Sequence, residues 1–174
     1  MNRVPFLIAL LAGAAVAAAE PPQTVEAGLI PNYRLLQPGL ATAGQPSPEA
    51  LSKLKDMGFR TVVNLRTEQE GTAEERKVVE GEGLRYVAVP VTPDSLSLAD
   101  AEAVEKVLHD PSSGPVLLHC ASSNRVGAVW ALIQAREGKT LDAALAAGRE
   151  AGLRSPQLEA AVRRALGAPA PSAP

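Results

Sequence analysis

The stretch Leu117-Leu118-His119-Cys120-Ala121-Ser122-Ser123-Asn124-Arg125-Val126-Gly127 passes from an apolar run into a polar turn and then into an apolar helix. Pro115 to His119, with Val116-Leu117-Leu118 at its centre, predicts a short buried strand. Arg125 opens a helix that runs through Val129, Trp130, Leu132 and Ile133 and stops before Gly138. A strand that turns directly into a helix is the repeating step of an α/β sheet. In such sheets ligands sit at the carboxyl ends of the strands, and the turn from His119 to Arg125 lies at one.

The same alternation runs outward from this stretch. Upstream, Ser47 as N-cap and Pro48 at the first position open a helix whose face is Leu51, Leu54 and Met57, ended by Gly58. Phe59 to Leu65 reads as a strand. Thr72 with Glu75 has the spacing of a capping box for a helix ending at Gly81 or Gly83. Leu84 to Val91 reads as the next strand. Ser97 caps a helix from Leu98 to Asp110, with Ala101, Val104 and Leu108 inward. Downstream, Thr140 caps one helix and Ser155 with Pro156 opens another. The expectation is one α/β domain over residues 35–167, a mainly parallel central sheet flanked by helices. Residues 20–34, with three prolines, read as an N-terminal arm, and 168–174 as a disordered Pro/Ala tail.

Residues 1–19 read as a secretory signal peptide: Arg3, an apolar run, then Ala17-Ala18-Ala19 before Glu20. The run is too short and alanine-rich for a membrane span. Cleavage near Ala19 and a periplasmic or secreted location are expected, with no stable membrane insertion afterwards. Net charge is −2 and the basic residues are scattered, which excludes a nucleic-acid footprint. No His/Cys/Asp cluster has metal-ligand spacing, so neither metal nor cofactor is expected. Apolar content of 46% supplies a core, and with only 3% aromatics that core is aliphatic. Cys120 is the only cysteine, so it forms no internal disulfide. It is either a small buried apolar group or a reactive thiol.

The position of Cys120 favours reactivity. Successive N–H groups of a turn can converge into an anion nest, and the helix start adds unpaired donors and partial positive charge. Both favour thiolate. Arg125 adds a planar fork suited to phosphate or carboxylate oxygens. Ala121, Ser122, Ser123 and Asn124 are small enough for a tight cradle.

His119-Cys120, a short loop and Arg125 opening a helix resemble the cysteine-dependent phosphatases of the tyrosine and dual-specificity class. Ala43-Gly44-Gln45-Pro46-Ser47-Pro48, Gly58 to Arg66 and Val89-Pro90-Val91-Thr92-Pro93 sharpen the resemblance toward bacterial phosphatase-like domains of the beta-lactamase-hydrolase-like proteins. It spans residues 35–137. It implies a dual-specificity-phosphatase-like fold and hydrolysis of a phosphomonoester, on a phosphorylated small molecule or protein, through a phosphocysteine on Cys120. Arg125 and the amides of Ala121 to Asn124 would hold the phosphate, and His119 would order the loop and thiolate. Asp94 would donate the proton to the leaving group, with Asp100 as the second choice.

Two departures stand beside the resemblance. Four residues separate Cys120 from Arg125 where the phosphatases usually have five, and Val126 replaces the hydroxyl residue that usually follows the arginine. The four-residue loop is that of rhodanese-type sulfurtransferases, which carry a persulfide. A catalytically silent module that binds an anion or a partner is the third reading.

Overall fold

A computed structural model describes residues 20–26 and 28–169. Its sheet has five strands, β1 (Arg34–Gln37), β2 (Leu40–Ala43), β3 (Thr61–Asn64), β4 (Arg85–Ala88) and β5 (Val116–His119), in the order β1-β2-β5-β3-β4. All pairs are parallel except β1 with β2 at one edge. This is the expected architecture. The short pair β1–β2 is an addition: Leu-Ala-Thr-Ala in β2 lacks the β-branched run that marks a strand, yet all four residues are buried.

β5 lies at the centre. Ala43 of β2 and Asn64 of β3 both sit in register with His119. The segments leaving these strands, Gly44-Gln45 and Leu65-Arg66, therefore flank the loop that leaves β5. Side chains alternate across the pleat, so Leu117 and Leu118 enter different cores. Leu117, with Ala41, Ala43 and Val62, packs under α1 (Pro48–Lys53) and α2 (Thr72–Gly81) through Ala50, Leu54 and Val79. Leu118, with Leu40, Val63 and Val116, belongs to the larger core. Val104 of α3 (Leu98–His109), Val129 and Leu132 of α4 (Asn124–Arg136), Leu145 of α5 (Leu141–Glu150) and Leu158 of α6 (Pro156–Ala165) close that core. Each fully buried aliphatic side chain contributes about 1.5–3 kcal/mol.

α4 is the most enclosed helix, buried at every residue from Val126 to Gln134. It meets α5 backbone to backbone. A Cβ on Gly127 would come within 2.2 Å of the Leu153 nitrogen and 2.4 Å of the Gly148 oxygen, so only glycine fits there.

The arm gains a place on the domain and one expected capping box changes. The segment read as an arm is laid onto the domain: Ile30 is buried, and Tyr33 donates its hydroxyl proton to the Pro22 carbonyl at 2.6 Å. The box at Thr72–Glu75 does not form. The chain enters α2 through Gly71 at φ 79°, which makes Gly71 the N-cap and carries Glu75 onto the inward face with Val79. The capping box is instead made by Thr67 and Glu70, around a single 3₁₀ turn at Glu68–Glu70. The leader 1–19 and residues 170–174 of the tail lie outside the described residues. Among the described residues no helix is long and apolar enough to cross a membrane.

Candidate active site

The loop after β5 is pinned from beneath. The Cys120 N–H donates to the Ala43 carbonyl at 3.3 Å, and the Gln45 N–H donates to the Ala121 carbonyl at 3.1 Å. Gly44 makes an isolated bridge with Ser122, and a Cβ there would sit 3.0 Å from the Ala121 oxygen. Ser123 is the N-cap of α4 in a left-handed backbone, φ 69° and ψ −9°. That reversal turns the chain into the helix after only four residues. The N–H groups of Ala121, Ser122, Asn124, Arg125 and Val126 have no acceptor among the described residues, the condition an anion nest needs.

Cys120 is 1% exposed at the floor of this loop and is a free thiol. Arg125, in the first turn of α4, lies close enough to Cys120 for its charge to bear on the thiol. The guanidinium is held mainly by Glu70: Nη1 donates to Oε2 at 2.6 Å and Nη2 to Oε1 at 2.7 Å. Nη1 also donates to the carbonyls of Leu65 and Val91, at 3.4 and 3.2 Å. Of the five guanidinium protons, Nε–H and one Nη2–H have no oxygen acceptor among the described residues. The Glu70 hydrogen bonds raise the Arg125 pKa above its ordinary value; burial opposes this, and Cys120 adds to it. In turn the Arg125 hydrogen bond, helped by Thr67 and opposed by burial, lowers the Glu70 pKa to about 2.

Behind the loop lies a buried polar network. His119, fully buried, has Nε2 at 2.8 Å from Glu75 Oε1 and Nδ1 at 3.4 Å from the Cys120 carbonyl. Asn64 Nδ2 also donates to Glu75 Oε1 at 2.9 Å, and to the Tyr86 hydroxyl at 2.9 Å. Gln45 Nε2 donates to Glu75 Oε2 at 2.8 Å, and Arg66 Nη1 lies 3.4 Å from the same oxygen. Arg66 also donates to the Gln45 side-chain oxygen at 2.5 Å and to the Glu70 carbonyl. Burial raises the Glu75 pKa, but His119, Gln45 and Arg66 together outweigh it and hold the carboxyl below its ordinary value.

In front of the loop opens a cleft of about 320 Å³, lined among others by Thr92, Pro93, Ser122, Asn124, Arg125 and Leu158. Asn124 points its oxygen away from an incoming anion: it accepts from the N–H groups of Arg154 and Ser155 at 2.7 and 2.8 Å. Asp94 is exposed on the turn that carries Thr92 and Pro93 and is not among the lining residues. Asp100 receives the N–H and hydroxyl of Ser97 in the capping box of α3, the helix-turn role its position suggested. The structure thus brings His119, Cys120, the loop and Arg125 together and leaves Asp94 at the rim. Sequence reading missed Gln45, Asn64, Arg66, Glu70 and Glu75 as part of the site. The available signal was the four-residue step from Glu75 to Val79, which puts the carboxylate on the buried face of α2.

A mainly parallel sheet whose central strand ends in a cysteine loop, with an arginine returning from the next helix, has the fold of the tyrosine and dual-specificity phosphatases. The chain belongs to the family of the beta-lactamase hydrolase-like protein, phosphatase-like domain, whose model matches residues 32–137. A beta-lactamase hydrolase-like protein of Xylella fastidiosa is 31% identical over 105 residues, 58% of this chain. That match spans 24% of the relative's length. Pseudomonas aeruginosa TpbA, also solved in complex with pTyr, superposes with a TM-score of 0.63 at 23% identity, over 86% of this chain and 91% of its own. The catalytic core of the Saccharomyces cerevisiae PP-IP phosphatase Siw14 gives 0.59 at 16% identity, over 76% and 86%.

Proposed function

We propose that this chain is an exported cysteine-dependent phosphatase that hydrolyses a phosphomonoester through a phosphocysteine on Cys120. The carrying observation is the Cys120 to Arg125 loop: a buried thiol at its start, unpaired N–H groups along it, and the Arg125 guanidinium held by Glu70 close to the sulfur. The thiolate attacks phosphorus, and the bond from phosphorus to the ester oxygen breaks. Asp94, exposed at the cleft rim, protonates the departing alkoxide. Water then attacks the phosphocysteine, releasing phosphate and restoring the thiolate. The loop amides and the two free protons of Arg125 hold the equatorial oxygens, in keeping with phosphoryl transfer by positioning and electrostatics. The substrate is a phosphorylated small molecule or protein. The leader sequence supports export to the periplasm or beyond.

The test offers the purified chain an aryl phosphate and, separately, thiosulfate with cyanide. Phosphate release that is inhibited by vanadate and lost in Cys120→Ser is expected. Thiocyanate formation without phosphate release would replace this reading with sulfur transfer. Neither product, together with alkylation of Cys120 that phosphate or vanadate fails to slow, would remove the anion site altogether. Export is read from the amino terminus of the chain recovered after secretion, expected near Glu20.

A further inference from the structure

The Cys120 loop has a chemical group behind it that phosphoryl transfer does not itself require: a buried carboxylate on a buried imidazole. Glu75 is 4% exposed and His119 0%. A carboxylate so placed is costly unless its lone pairs are filled. Here they are, by Gln45 and Arg66 on one oxygen and Asn64 and His119 on the other. Because Gln45, Asn64 and Arg66 can only donate through those atoms, Glu75 is an acceptor on both oxygens. His119 must then donate from Nε2. The carboxylate fixes the tautomer, and the nitrogen left over, Nδ1, is the one beside the Cys120 carbonyl.

We propose that Glu75 is a positioning residue for the nucleophile, acting through His119. This rests on Cys120 being that nucleophile. By accepting from Nε2, Glu75 fixes the plane of the ring and holds Nδ1 against the Cys120 carbonyl, the backbone group next to the nucleophile. The groups that face this pair are Asn64 from β3, Arg66 after it, Tyr86 from β4 through Asn64, and Gln45 after β2. Arg125, held by Glu70, is the charged group beside the cysteine itself. A purely structural carboxylate would lower stability when replaced and leave the thiol's reactivity alone.

The experiment follows Cys120 alkylation by iodoacetamide against pH in the wild type, Glu75→Gln, His119→Gln and the double variant, with ring nitrogen shifts of His119 read by NMR. Glu75→Gln preserves volume, and circular dichroism checks folding. The substitution removes the carboxylate that accepts from Nε2, so the tautomer and orientation of the ring are no longer fixed and alkylation at mildly acidic pH slows about tenfold, the lower end of the effect of outer partners on a histidine they orient. In the His119→Gln background the same replacement changes alkylation little, because the path through the ring is gone. An unchanged tautomer and alkylation profile in Glu75→Gln would overturn the proposal. So would an equal slowing with and without His119. Should Glu75→Gln fail to fold, Glu75→Asp, which draws the carboxylate back from His119 by one methylene, takes its place with the same expected directions. These readouts need no turnover, so a wild type that releases no phosphate would sink the phosphatase reading and leave this one standing or falling on its own.

Discussion

The back and the front of the Cys120 loop are built on different plans. Behind it, Gln45, Asn64, Arg66, Glu75 and His119 are tied by short hydrogen bonds, with Asn64, Glu75 and His119 buried. In front, the cleft is walled by a turn at Thr92-Pro93 and by α6, and the candidate proton donor Asp94 stands exposed with no partner among the described residues. The contrast separates two tasks. Holding a thiolate and an oxyanion cradle demands geometry fixed before substrate arrives. Protonating a leaving group demands a residue that approaches only when substrate fills the cleft. Arg125 joins the two regions, anchored at the back by Glu70 and facing the cleft with its remaining protons.

The sharpest break in that contrast comes from the joining residue. Arg125→Lys keeps a charge but loses the fork that serves Glu70 and the anion together. We expect kcat/KM for an aryl phosphate to fall about 10²–10³-fold, the loss seen when a preorganised donor is removed. A loss of less than about tenfold would mean that the loop amides bind the phosphate alone. The front is tested next. Asp94→Asn lowers kcat about 10²-fold for an alkyl phosphate, whose leaving group needs a proton, and little for a nitrophenyl phosphate, which leaves unaided. Equal effects on both substrates would assign the acid to another group.

A smaller effect probes the anchor. Glu70 has a pKa near 2 in the folded chain against an ordinary value of 4.5. A carboxyl depressed in this way stabilises the fold fully above 4.5, and that stability drains away as pH falls toward 2. The side chain is 31% exposed, so screening leaves about 1–2 kcal/mol of it. Glu70→Gln therefore lowers the urea midpoint at neutral pH by about that energy, and its stability falls less steeply than wild type on acidification. Parallel acid curves for the two chains would show that the pair adds nothing net.

How far the sequence reached follows the same division. The strand at Val116-Leu117-Leu118 and the helix after Arg125 were legible because burial writes a continuous apolar run. The caps at Ser47, Ser97, Thr140 and Ser155 were legible because orphan N–H groups demand side-chain oxygens. Cys120, His119 and Arg125 fell within one short stretch and so were readable together. The network was not. Gln45, Asn64 and Glu75 are far apart in the chain and meet only because β2 and β3 flank β5. Glu75 was also masked by a local pattern: three residues after Thr72 it has capping-box spacing, and only the left-handed entry at Gly71 turns it inward. Glu70 hides in a turn too short to show a period.

The smallest expected effect tests how much strain the back of the loop carries. Ser123 holds a left-handed backbone, is 1% exposed, and its buried hydroxyl has no hydrogen-bond partner among the described residues. Such a backbone costs a non-glycine residue about 1 kcal/mol or somewhat more, and an unmet buried hydroxyl adds to that. Ser123→Gly removes both and gives back some of the gain through the freer unfolded chain. The net expectation is a stabilisation of about 1 kcal/mol, a rise in Tm of roughly 3–6 °C for a domain of this size. It should come with unchanged aryl phosphatase activity if the turn is already in its working shape. A gain in stability with lost activity would mean that the serine's stiffness, and not merely the turn, keeps the Cys120 amide cradle aligned. A loss of stability would mean that the Ser123 hydroxyl has found a partner, most simply a water or the bound anion, and would make it part of the cradle itself.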